Sequence, residues 1–112
     1  KNNFYGLWSL GKLYALSGVL NNADDISFKK SLQYLDEAMQ INPNDQNLYF
    51  DIAQIYLMEK AHKDTLKYTR PAIAIAPEYA SGYKVAESIL NVVPNSEKTA
   101  EYVHTMKSTW MK

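Results

Sequence analysis

An internal repeat of 34 residues constrains this chain more than any other feature. Displacing the sequence by 34 positions brings Lys29 onto Lys63, Leu32 onto Leu66, Tyr34 onto Tyr68, Ala38 onto Ala72, Ile41 onto Ile75, Pro43 onto Pro77 and Tyr49 onto Tyr83. A fixed period of roughly 20 to 50 residues marks an array of stacked supersecondary units, each burying its apolar face against the next. Further toward the N-terminus the register changes to 42, with Leu10 on Ile52, Gly11 on Ala53, Leu13 on Ile55 and Tyr14 on Tyr56. The first unit therefore carries eight more residues than the second. The stretch Gly18 to Asp25 offers a C-cap glycine, turn-forming asparagines and an N-cap aspartate, and is expected to form a long inter-helix loop.

Inside the units the apolar spacing is helical. Leu48, Tyr49, Ile52, Ala53, Ile55 and Tyr56 recur at intervals of three and four and define one buried face. Asp25, Asp45, Asp64 and Ser96 are expected helix starts, because their side-chain oxygens can accept a free amide of the first turn. Pro43, Pro77 and Pro94 mark helix exits. Six helices are expected, over approximately 3–18, 25–41, 45–60, 63–75, 79–92 and 96–110. Pro71 falls within the fourth and is expected to kink it. The fold class is all-α, one domain over 1–112, with units at about 3–43, 45–77 and 79–111.

These residues resemble the tetratricopeptide repeat. Leu7, Leu10, Gly11 and Tyr14 fit its first helix and Ser31, Leu35, Ala38 and Pro43 its second. The next unit matches at Tyr49, Ile52, Ala53 and Tyr56, then at Thr65, Ala72 and Pro77, with Thr69 where the family prefers an aromatic. In the third unit Tyr83 and Ala86 persist, whereas Glu87 replaces a small residue and Leu90 a tyrosine, so this unit is expected to act as a cap. Its last helix sets Ala100, Val103, Met106 and Trp110 on one stripe. The resemblance implies three antiparallel helix hairpins in a right-handed superhelix whose first helices line a concave groove.

The positions matching that groove are Tyr5, Trp8, Lys12, Leu16, Asn47, Phe50, Asp51, Gln54, Met58, Ser81, Lys84, Val85 and Ser88. Trp8, Phe50 and Met58 are large apolar groups that the repeat does not require for its own core, and such groups anchor partners in desolvated pockets. The opposing expectation is that the terminal helix, with Trp110, or an adjacent part of the full protein folds over the groove and buries them internally. Some co-chaperone members of the family clamp an acidic peptide with bases on this face. Here the matching positions are Trp8, Lys12, Asp51, Ser81 and Val85, so one base remains and Asp51 would repel a carboxylate.

Charge argues against other classes of target. Twelve bases balance twelve acids, and Arg70 is the one arginine, which disfavours nucleic acid and anionic membrane surfaces. The longest stretch without charge, Leu13 to Ala23, is well short of the roughly 20 residues of a spanning helix. Cysteine is absent, and His62 and His104 have no second ligand at helical spacing, so no metal or other cofactor is expected. No nucleophile, base and orienting group share a recognisable pattern. The expected function is a non-enzymatic scaffold for a protein or peptide, with a second copy of the chain among the candidates. The alternative is a structural or regulatory appendage of a larger membrane-bound or enzymatic protein, such as a bacterial envelope glycan polymerase. The compartment, cytoplasmic or periplasmic, stays open.

Overall fold

The computed structural model describes residues 3–21 and 25–112. Six α-helices occur among these residues: α1 (Phe4–Leu20), α2 (Asp25–Ile41), α3 (Gln46–Met58), α4 (His62–Ile75), α5 (Ala80–Leu90) and α6 (Glu97–Trp110). No strand occurs among the described residues. The helices pair as hairpins, α1 with α2 and α3 with α4, while α6 lies against both α4 and α5. The molecule measures 40 × 31 × 17 Å, and the short dimension fits two helix layers at the usual 8–10 Å separation.

Two apolar cores run through the stack, and α3 contributes to both. Leu48, Ile52 and Ile55 of α3 join Ala15, Phe28, Leu35 and Ala38 of the first hairpin. Phe50 and Ala53 of the same helix join Ala72, Ile73, Tyr83, Ala86, Ile89, Val93 and Val103. Each hairpin thus completes its core only with help from the next, as a repeat of this kind requires. Buried polar groups are satisfied locally: Thr69 Oγ1 donates to the Thr65 carbonyl at 2.8 Å, and the Tyr83 hydroxyl to the Pro77 carbonyl at 2.5 Å. Burial raises the phenol pKa of Tyr83 above its ordinary value. Arg70 of α4 places its guanidinium 4.2 Å over the ring of Tyr102 in α6, tying the last helix to the stack.

The first hairpin differs from expectation at its connection. Gly18 does not end α1; it is buried inside a helix that continues to Leu20. A Cβ at Gly18 would stand 3.0 Å from the Phe28 ring, so the glycine makes room for a neighbour instead of capping. Part of the eight-residue insertion is therefore helix, since α1 and α2 span 17 residues each against 13 and 14 in the second hairpin. The rest of the expected loop, residues 22–24, lies outside the described residues.

Asp45 caps α3 as expected, accepting from the amides of Asn47 and Leu48. Asp25 and Asp64 instead lie within the first turns of α2 and α4, where a carboxylate opposes the positive end of the helix dipole. Ser96 occupies the cap position of α6 without a capping hydrogen bond, its hydroxyl donating to the Leu90 carbonyl. Pro71 lies inside α4, which runs on to Ile75 with one donor fewer.

The exit of α3 carries a local strain. Lys60 adopts φ 59°, its amide donating to the Leu57 carbonyl and that of Ala61 to the Tyr56 carbonyl. This is the left-handed helix stop that glycine normally fills, and an L side chain there costs roughly 1–2 kcal/mol. Lys60→Gly is expected to raise the stability by about 1 kcal/mol, measured by urea unfolding at unchanged slope.

Candidate functional site

Helices α1 and α3 are linked by one polar constellation. The Trp8 indole N–H donates to Asp51 Oδ2 at 2.7 Å, and Lys12 Nζ stands 3.9 Å from the same oxygen. Trp8 is itself held by aromatic neighbours, edge-on to Phe4 at 5.5 Å and stacked with Tyr5 at 6.4 Å. The Asp51 side chain is mostly covered and carries a directional hydrogen bond, whereas Lys12 is 64% exposed. The ion pair is accordingly weak, and Lys12 keeps most of its freedom to meet another group.

Beneath this constellation lies a cleft of about 150 Å³ between α1 and α3, lined by Lys12, Ala15, Asp51, Gln54, Ile55 and Met58. Of these, Ala15 and Ile55 are buried and apolar, Met58 is apolar and partly exposed, and the other three bring one cation, one carboxylate and one carboxamide. The α3 contributors are spaced i, i+3, i+4 and i+7, which places Asp51, Gln54, Ile55 and Met58 on one face. Met58 is 44% exposed although apolar.

The structure brings Lys12, Asp51, Gln54 and Met58 together as expected of neighbours on one face, with Trp8 joined through Asp51. Phe50 is a correction: it is 3% exposed and belongs to the core shared with Tyr83, Ala86 and Ile89. One residue is about 100° of helix rotation, enough to turn Phe50 inward while Asp51 faces the cleft. Val85 is likewise half-buried on the fringe of that core. Tyr5, Leu16, Ser88 and Lys84 are exposed but line no part of the cleft. Asn47 and Ser81 meet elsewhere, in a polar concavity with Asn44, Asp45, Gln46, Ala76 and Tyr79 near the helix entrances. The terminal helix does not close the cleft: Trp110 is half exposed and no residue of α6 lines it. Ala15 and Ile55 were not expected in the site; their i+3 and i+4 spacing from Lys12 and Asp51 is the signal that places them there.

A second charged group sits at the far end of α3. Asp25, paired with Lys29 at 3.2 Å, shares a hydrogen bond with Glu59. That bond lowers the Asp25 pKa, while burial and the neighbouring Asp25 raise that of Glu59. Among the described residues no three His, Cys, Asp or Glu side chains converge on a metal-sized site, and no helix is long and apolar enough to cross a membrane. No family model, curated protein or solved structure matches the chain.

Proposed function

We propose that this chain is a peptide-docking scaffold of the tetratricopeptide kind whose cleft between α1 and α3 receives one aliphatic side chain of an extended or helical partner segment. The observation that carries this reading is the cleft itself, in which buried Ala15 and Ile55 and the partly exposed Met58 meet Lys12, Asp51 and Gln54. Its volume of about 150 Å³ is below the roughly 300–1,000 Å³ of small-molecule pockets and suits a single anchoring side chain. Gln54 supplies both a donor and an acceptor, the combination needed by a peptide unit of the partner backbone. Lys12 favours a partner with a carboxylate beside the anchor, and Asp51 disfavours a second one.

The test is calorimetric titration with peptides selected against the chain by phage display. Met58→Lys would place a charge in the cleft and is expected to weaken binding at least tenfold, about 1.4 kcal/mol, with helical content unchanged. Lys12→Glu should weaken acidic peptides and spare neutral ones. Selected peptides whose affinity ignores both variants would sink the assignment.

A further inference from the structure

The outer face of α1 carries a second inference, independent of the cleft. Leu10 and Leu13 are 41% and 62% exposed, and with Tyr14 and Ser17 they border a shallow concavity of about 280 Å³. Leu20, seven residues beyond Leu13, extends the stripe, which bears no charge. An exposed apolar stripe of this length calls for an occupant.

The repeat offers a counterpart for this stripe. In the 42-residue register Leu10 corresponds to Ile52 and Leu13 to Ile55. Ile52 and Ile55 are 3% exposed because the second helix of the preceding hairpin covers them, with Phe28, Leu35 and Ala38 of α2 in the same core. The helix entrances correspond as well. Asp45, which caps α3, falls on Asn3, whose side chain accepts from the Gly6 amide and caps α1. The opposite end of the stack is built differently, since α6 turns Glu101, His104, Lys107 and Ser108 to solvent. Tail-to-head stacking of two copies would set those polar groups against leucines, so α6 of a second copy does not fit.

We propose that the outer stripe of α1 is an inter-hairpin surface, occupied by the second helix of one further hairpin of the same repeat joined ahead of α1. That helix would enter α1 as α2 enters α3, through a short connection ending on the Asn3 cap.

The experiment extends the chain by placing residues 1–44 directly ahead of Asn3, so that a duplicate α2 meets α1 at the natural spacing. The expected result is one cooperative unfolding transition with Tm raised by roughly 5 °C or more over the parent, a gain abolished by Leu10→Lys with Leu13→Lys in the second copy of α1. In parallel, a peptide of residues 25–41 titrated into the unmodified chain is expected to shift the methyl resonances of Leu10 and Leu13 more than that of Met58. An unchanged Tm, or two separate transitions, together with no methyl response at Leu10 and Leu13, would overturn the proposal. So would light scattering that finds the unmodified chain dimeric and made monomeric by Leu13→Lys, because a second copy would then cover the stripe.

Discussion

Phe50→Ala is expected to lower the unfolding free energy by about 3–5 kcal/mol, the range for emptying an aromatic site in a well-packed core. The side chain is 3% exposed and shares its core with Ala53, Ile73, Tyr83, Ala86 and Ile89, residues from three helices. Alanines at two of these positions cannot expand to fill the vacancy, so the cavity should persist. Domains of this size are held by only about 5–15 kcal/mol, so the variant would lose a large fraction of its stability. Equilibrium urea unfolding measures the loss. A change below about 1 kcal/mol would return Phe50 to the surface and with it the groove reading that burial overturns.

The second large effect is expected at Gly11. The Ser31 hydroxyl donates to the Gly11 carbonyl at 2.6 Å, and an ideal Cβ on Gly11 would stand 2.5 Å from a terminal carbon of Leu35 and 3.2 Å from the Ser31 carbonyl oxygen. Leu35 is wholly buried and has nowhere to go. Gly11→Leu must therefore separate α1 from α2, with a loss of about 3 kcal/mol, the upper end for overpacking. Leucine's better helix propensity returns somewhat less than 1 kcal/mol of this. Differential scanning calorimetry should show a lower Tm, whereas an unchanged Tm would mean that α1 and α2 are not in backbone contact there.

Much of this architecture was legible in the residues because repetition encodes packing. The 34- and 42-residue registers place Gly11, Ala38, Ala53 and Ala72 at helix contacts, and all four are buried. Composition alone misread Gly18: a glycine among turn-forming residues looks like a cap, and only the Phe28 ring packed on it reveals its use. Phe50 was misplaced for a related reason. A core position and a groove position are adjacent in sequence on α3, and their separation depends on how far the helix is rotated against α5, which periodicity within one helix does not report. Lys12, Asp51, Gln54 and Met58, which the tetratricopeptide resemblance assigned to a groove, line one cleft. The Trp8 to Asp51 hydrogen bond was not legible in the residues, since it joins residues 43 apart whose side-chain reach depends on the spacing of α1 and α3.

The measurement that bears most directly on the docking reading is a two-dimensional NMR titration of the labelled chain with a phage-selected peptide. The Gln54 carboxamide and the Met58 methyl line the cleft, and the Trp8 indole N–H reports on it through its bond to Asp51. The expected result is saturable, concerted shifts of these three signals while Trp110 stays fixed. Shifts confined to other surfaces, or no peptide that moves these signals, would contradict it.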